Sequence, residues 1–432
     1  LGDFVGRQGL ERDFEDFLRG VPGRRLVEVD ALGREQRVLK EQPHGSGKNL
    51  ILTLDTSLQE KAESLLGDKP GAIIAVDPRN GEVLAMASQP NFDPNAFAGG
   101  ISTTAWKELT SDHLHPLEDR ATRGQYPPGS VFKIAVAAAA LQEGAIEEDE
   151  KLFCPGHLEF GGRTYRDWRP EGHGWVNVHQ ALVESCDVFF WKVGLRLGID
   201  VIARYARAFG LGDSTGLRDQ GEKEGIVPSP EWKLENVGEP WYPGETLSAS
   251  IGQGYTVVTP IQMAVLIGAV ANEGTLYEPR LVLRIEEPDG QVIQTFGPKV
   301  RGQLPVQPQY LDMIRRGLRG VVNEERGTGS LARIQNIRVA GKTGTAQVVR
   351  LKKRRDQKEQ ETRARTLRDH GWFVAFAPYE NATIAVVVLG EHGGLPGGHY
   401  APLARELIAH HLNEPREEPR SEPASAGERE HP

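Results

Sequence analysis

The sequence predicts an α/β sandwich with a helical insertion, and three observations carry that prediction. Strand-like apolar runs lie towards both ends of the main body, the long middle reads mainly as helix, and one Ala-rich segment there has almost no polar face. A helix without a polar face belongs inside a domain. The strands at the two ends are therefore expected to share one sheet.

The elements follow in chain order. Residues 1–49 are charged and Gly-rich, and alternating runs such as RRLVEVDALGREQRVLKE read as a few exposed strands with turns, a small appendage outside the core. Thr56 and Gln59 have the spacing of a capping box, and Leu58, Ala62, Leu65 and Leu66 form one helical stripe behind it. GAIIAVDPRNGEVLAMAS is a hairpin, two apolar runs joined through Asp77-Pro78-Arg79-Asn80-Gly81. VFKIAVAAAALQEGAI is the apolar helix, entered through the stiff turn Pro127-Pro128-Gly129. NVHQALVESCDVFFWKVGLRLG and PIQMAVLIGAVANEG read as further helices, with Phe189, Phe190 and Trp191 expected in the core. YLDMIRRGLRGVV is an amphipathic helix, and RVAGKTGTAQVV, GWFVAFAP and ATIAVVVLG supply the late strands. The charged run between the first two of these strands reads as a solvated loop, and residues 413–432, rich in Pro, Glu and Arg, as a disordered tail.

With 432 residues the chain has room for one large domain and a smaller one. A net charge of −9 argues against a nucleic-acid partner, which calls for a basic face. No stretch of 18 apolar residues occurs, so no membrane span lies within the sequence. The chain opens at Leu1 in sequence that already reads as folded, which leaves room for a signal or anchor segment ahead of it. Two cysteines, Cys154 and Cys186, make no disulfide framework.

The word AGKTGTAQVV, residues 340–349, could belong to either of two chemistries. A phosphate-binding loop needs glycine five residues before Gly341, where Asn336 stands, and it must open a helix, whereas TAQVV is β-branched. GSGKN at 45–49 fails in the same way, with Gln42 and Asn49 at the two decisive places. A serine acyl-transfer site needs a nucleophilic serine with a lysine one turn later. PPGSVFKIAV supplies Ser130 and Lys133, whose i, i+3 spacing puts both side chains on one helix face. Burial disfavours the ammonium form, so Lys133 could take the Ser130 proton. Ser185 and Asp187 of ESCDVFF follow 55 residues after Ser130, and Lys342-Thr343-Gly344 follows 157 residues after Ser185.

In order and spacing these three words resemble the penicillin-recognising serine transferases, the family of penicillin-binding proteins and serine β-lactamases. Four further stretches, AVDPRNGEVLAMAS, RATRGQYPPGSVFK, SIGQGYTVVTPIQMA and AGKTGTAQ, look like the class B high-molecular-weight transpeptidases. VGRQGLERDFEDFLRGVPGRR and YRDWRPEGHG are most similar to their cell-elongation branch. The resemblance implies an α/β (α+β) fold, with a central antiparallel sheet sandwiched by helices, a helical subdomain and a small N-terminal pedestal. The expected divisions are a membrane-proximal pedestal at 1–53, a transpeptidase domain at 54–412 and the tail at 413–432.

Carried over residue by residue, the resemblance makes Ser130 the nucleophile and Lys133 its general base. Ser185 relays a proton to the leaving amine, and Lys342 and Thr343 bind the substrate carboxylate, with Lys342 raising the local potential. Gly344 gives the strand a close approach to substrate, and the backbone amides of Ser130 and Thr345 form the oxyanion hole, each donor worth ~3 kcal/mol. Asp187 stands where the general pattern has asparagine. A carboxylate beside Lys133 favours its ammonium, so Asp187 is protonated or paired elsewhere, or proton transfer is shared with Ser185.

Cys154, Asp167, His173 and Cys186 run through the segment around the second motif, and two thiolates, an imidazole and a carboxylate suit tetrahedral zinc. Some elongation transpeptidases resemble this arrangement. The rivals are a Cys154–Cys186 disulfide and two inert buried thiols. Such a zinc would be structural, since the serine chemistry requires no cofactor.

The implied activity is a peptidoglycan D,D-transpeptidase working on stem peptides through a Ser130 acyl-enzyme, with β-lactams as donor mimics. The implied partners are a SEDS-type glycosyltransferase and the membrane, reached through an N-terminal single-pass anchor in the inner membrane with the catalytic domain outside the cytoplasm. A carboxypeptidase or β-lactamase-type hydrolase and a non-catalytic β-lactam sensor are the alternatives.

Overall fold

The computed structural model describes residues 5–217, 221–347 and 368–413. The charged run after residue 350 and the C-terminal tail lie outside these residues, apart from their ends.

An exposed two-stranded ribbon, β1 (Arg24–Val29) and β2 (Glu35–Gln42), accounts for the alternating runs near the N-terminus. Two short helices precede it, Gly9–Asp13 and Glu15–Leu18, where the sequence reading had only strands and turns. Phe14 at their junction packs on Val282 and Ile285, so a distant tertiary contact holds a segment with little periodicity of its own. β3 (Asn49–Leu52) likewise finds its partners far along the chain.

Helix Thr56–Leu66 starts one residue earlier than its capping-box reading. The cap is Asp55, whose carboxylate accepts from the Leu58 N–H at 3.0 Å, and Thr56 is already helical. Aspartate is the better cap of the two, and the capping-box pattern does not weigh it against its neighbour. Leu58, Ala62 and Leu66 are buried as the stripe requires.

The hairpin is β4 (Gly71–Val76) and β5 (Val83–Gln89). Four short strands cluster around the second motif: β6 (Leu152–Cys154), β7 (His157–Phe160), β8 (Arg163–Arg166) and β9 (Gly174–Val176), with β6 paired to β9 and β7 to β8. β10 (Thr275–Tyr277) pairs with β13 (Val300–Gln303), while β11 (Val282–Glu286) lies between β12 (Val292–Thr295) and β3. The three late strands are β14 (Ala340–Ala346), β15 (His370–Ala377) and β16 (Ile384–Gly390).

Strands from the two ends do share one sheet, antiparallel throughout, in the order β14-β15-β16-β4-β5. Helices Thr56–Leu66 and Ala401–Asn413 cover one face, packing on Ile73, Ala75, Phe373 and Val386. Helix Pro260–Ala271 lies against the other, with Ile74, Val374 and Val387, and helix Lys133–Gln142 packs among the helices Asp187–Leu197, Ile199–Ala208 and Pro308–Asn323. Because both faces are covered, β15 and β16 are buried at every position and read as unbroken apolar runs. Phe189, Phe190 and Trp191 are core residues as expected.

NVHQALVESCDVFFWKVGLRLG is two helices and not one: Val178–Val183 and Asp187–Leu197. The break falls on Ser185, which adopts the left-handed conformation at φ 58°. Cys186 then caps the second helix, its sulfur accepting from the Phe189 N–H at 3.4 Å. Apolar periodicity runs through the break, so only the Ser-Cys-Asp word marks it.

Candidate active site

The turn Pro127-Pro128-Gly129 ends on a left-handed glycine (φ 56°), where a Cβ would stand 2.5 Å from the Thr345 carbonyl oxygen. Glycine alone meets both demands. One turn of 3-10 helix, Gly129–Phe132, presents Ser130 and runs directly into the helix that opens at Lys133. Contacts from three parts of the chain fix this turn. The Gly129 N–H donates to the Gly252 carbonyl at 2.9 Å, Tyr126 and Val258 exchange two backbone bonds at 2.9 Å, and the Trp372 indole donates to the Pro127 carbonyl at 3.0 Å.

The Lys133 side chain is fully buried. Its Nζ donates to the Asp187 carboxylate at 2.7 Å, the Ser185 carbonyl at 2.9 Å and the Ser185 hydroxyl at 3.3 Å. These partners occupy the three protons of an ammonium, and among the described residues none of its bonds goes to Ser130. Lys342 reaches the same hydroxyl from β14, with Nζ 2.9 Å from Ser185 Oγ and 3.2 Å from the Thr343 carbonyl. Burial, aided by the neighbouring Lys133, pushes the Lys342 amine well below the ordinary lysine range, against the pull of Asp187. Ser185 Oγ therefore sits between two buried lysines, one paired with a carboxylate and one for which charge is costly.

The Gly344 backbone is close to protein before any ligand arrives. A Cβ there would lie 2.8 Å from Val131 Cγ2 and 2.9 Å from the Pro128 carbonyl oxygen. The glycine thus lets β14 press against the turn that carries Ser130, a nearer reason than the approach of substrate. Thr343 Oγ1 shares a hydrogen bond of 2.8 Å with Thr328 Oγ1, and Thr345 Oγ1 accepts from the Gly397 N–H at 3.2 Å.

Cys154, Asp167, His173 and Cys186 come together in one buried cluster, their ligand atoms all within 4.8 Å of one another. Cys154 Sγ is 3.4 Å from His173 Nδ1 and 3.6 Å from Asp167 Oδ2, and Cys186 Sγ is 3.5 Å from the same oxygen. Both cysteines are free thiols, so the disulfide alternative is not the arrangement found. Hydrogen bonding from Cys186 brings the Cys154 thiol down to about 5, and Cys186 is pushed up in return. Asp167 also accepts the Val188 N–H at 3.1 Å, tying the cluster to the helix that begins at Asp187.

Two residues at the site escaped the sequence reading. Trp168, next to Asp167, donates its indole N–H to the carbonyls of Glu184 at 3.1 Å and Ser185 at 3.2 Å. Thr328 lies in a loop with no local signal for chemistry; only its contact with Thr343 reveals it.

Residues 71–410 match the penicillin binding protein transpeptidase domain, and residues 1–52 the penicillin-binding protein dimerisation domain. The chain is 37% identical over 415 residues to the peptidoglycan D,D-transpeptidase MrdA of Haemophilus influenzae, which covers 95% of this chain and 63% of that protein. Among solved structures, the penicillin-binding protein PBP2 of Helicobacter pylori in complex with MreC superposes with a TM-score of 0.82 at 33% identity, over 95% of this chain and 72% of that one. Pseudomonas aeruginosa PBP2 in complex with WCK 5153 gives 0.80 at 36% identity, over 95% and 82%. The chain thus spans under two thirds of the length of its curated H. influenzae relative.

Proposed function

The chain belongs to the penicillin-binding protein transpeptidase family, and on that basis we propose that it is a D,D-transpeptidase cross-linking peptidoglycan stem peptides during cell elongation. The observation that carries the reading is the Ser185 hydroxyl held between Lys133 and Lys342, beside a turn built to present Ser130.

In the proposed reaction a donor peptide lays its terminal carboxylate against Thr343 and Lys342. Ser130 Oγ attacks the penultimate D-Ala carbonyl, the C–N bond breaks, and D-Ala leaves with a proton on its amine. An acceptor amine then attacks the ester, loses a proton and restores the Ser130 hydroxyl. The backbone amides of Ser130 and Thr345 are the proposed oxyanion donors.

Lys133 is ion-paired with Asp187 at 2.7 Å, and in the proposed reaction it acts as base by first passing on a proton. Lys342 supplies the sink. An arriving carboxylate makes its ammonium favourable, and a proton passes from Lys133 through the Ser185 hydroxyl to Lys342. Lys133 is then free to accept the Ser130 proton, so substrate binding arms the nucleophile.

For the buried cluster we propose a structural zinc held by Cys154, Asp167, His173 and Cys186. Ligand atoms around a tetrahedral zinc lie roughly 3.3–3.8 Å apart, and four of the six pairs here, at 3.4, 3.5, 3.6 and 3.7 Å, have that separation. A bound zinc would supply a fixed cross-link and no step of the reaction. Cys186 lies between Ser185 and Asp187, so holding it holds both.

Among the described residues no helix is long and apolar enough to cross a membrane. An N-terminal single-pass anchor in the inner membrane, with the catalytic domain outside the cytoplasm, is part of the proposal. So are the pedestal at 1–53, the transpeptidase domain at 54–412 and a SEDS-type glycosyltransferase partner. The H. pylori complex favours the addition of an MreC-like protein.

Peptide mass spectrometry after incubation with benzylpenicillin tests the core of the proposal. A stable adduct of the whole antibiotic on the Ser130 peptide, absent in Ser130→Ala, is expected. Rapid loss of that adduct with accumulation of hydrolysed drug would make the protein a hydrolase.

A further inference from the structure

Beyond the reacting centre, Ser185 has a second neighbourhood. Glu184, one residue before it, is buried to 5% exposure and receives two guanidinium groups on the same oxygen, Arg169 at 3.2 Å and Arg326 at 2.8 Å. Both arginines remain 38% and 53% exposed, so one buried negative charge carries two half-exposed positive ones. Each guanidinium has five N–H donors, and one carboxylate oxygen satisfies few of them. Trp168, next to Arg169, is 51% exposed although its N–H is fixed to the Glu184 and Ser185 carbonyls. Two residues after Arg326, Thr328 meets Thr343. An anchored indole and two half-exposed guanidinium groups thus form a rim running from Ser185 to the carboxylate-binding threonine.

In the proposed function, on which this inference rests, Ser185 serves the amine side of the scissile bond. The leaving D-Ala occupies that side first, and the acceptor amine must then take the same place. D-Ala has only a methyl side chain and a single carboxylate, already matched to Thr343 and Lys342. An indole face and two guanidinium groups further out find a partner only when the amine side holds something larger. We propose that Trp168, Arg169 and Arg326 form an acceptor subsite, taking an anionic stem peptide by stacking on the indole and by charge-assisted bonds to a second carboxylate. Glu184 is the positioning residue that gathers the two arginines.

The test is the partition of the Ser130 acyl-enzyme between a peptide acceptor and water, a ratio independent of how fast Ser130 is acylated. Two acceptors are compared, one peptide with free carboxylates and its amidated form, with a thioester analogue of the donor. The native chain is expected to prefer the free-carboxylate acceptor by about tenfold, the usual scale of a charge-assisted contact. Arg326→Gln and Arg169→Gln should each erode that preference, Arg326→Lys should keep part of it, and raised salt should shrink it. Trp168→Ala should lower transfer to both acceptors, with Trp168→Phe intermediate. An equal partition of the two acceptors in the native chain, or a preference unchanged in both glutamine variants, would overturn the subsite while leaving the transpeptidase reading intact. Failure to form any Ser130 adduct with donor or benzylpenicillin would overturn both.

Discussion

At the scale of single residues, the role proposed for Lys342 rests on its capacity to be neutral before substrate arrives. Arginine at this position would keep a cation beside the substrate carboxylate but could not sit neutral. If Lys342 is the proton sink, Lys342→Arg should slow acylation by benzylpenicillin by ~100-fold or more, on the scale of a lost acid–base group; a purely electrostatic role would leave the rate within a few-fold. Thr328→Val removes the hydroxyl partner of Thr343, and a roughly tenfold rise in the donor KM, with little change in kcat, is the expected cost of one hydrogen bond. His370 gives a stability prediction. Burial, with help from His392, lowers its pKa to about 3, and its Nδ1 accepts from the His392 N–H at 3.0 Å. The folded state therefore binds fewer protons than the unfolded chain between the folded value of about 3 and the ordinary value of 6.5. This stabilising contribution is present above pH 6.5 and is lost as pH falls towards 3, by at most ~5 kcal/mol in all. His370→Asn keeps an acceptor without the titration, so its melting temperature should vary less over that range.

At the scale of elements, the turn that carries Ser130 and the edge of β14 are fitted to one another. Trp372→Phe removes the bond to the Pro127 carbonyl and should cost ~1–2 kcal/mol in a denaturant melt, together with slower acylation. The cysteine cluster does for the second motif what Trp372 does for the first. A strong chelator should remove one zinc per chain and lower the melting temperature, and Cys154→Ser should lower the zinc content of the purified protein. Much of this was legible in the sequence. The hairpin, the Ala-rich helix and the late strands follow from local periodicity, and the three words that bring Lys133, Ser185 and Lys342 together are short and ordered. The break at Ser185 was not legible, because apolar spacing continues across it and a left-handed serine has no compositional sign. Thr328, Trp168 and Arg326 were missed for a different reason: each acts through a residue distant in sequence, and no local pattern encodes that meeting. Sequence raised the meeting of Asp187 with Lys133 but left its partner open; the structure pairs the two at 2.7 Å.

At the scale of the whole molecule, the N-terminal segment is tied into the rest through β3, which joins β11 and β12 in one sheet. A chain starting at Asn49 loses Phe14 but keeps that strand, whereas one starting at Leu54 loses both and uncovers Val282 and Ile285 further. The shorter chain should melt at lower temperature, by ~1–3 kcal/mol for the exposed apolar side chains. Among the described residues, β14 is one of the two terminal strands of the main sheet, with no strand paired on its outer side. An open margin of this kind invites other chains to add to it. Here the Pro128–Val131 segment lies within contact distance of Gly344 and Gly129 abuts Thr345, which narrows the open length. The turn held against β14 is therefore expected to hinder the addition of other chains. A variant that loosens the turn, such as Trp372→Phe, should therefore scatter light on prolonged warming at temperatures below its melting point.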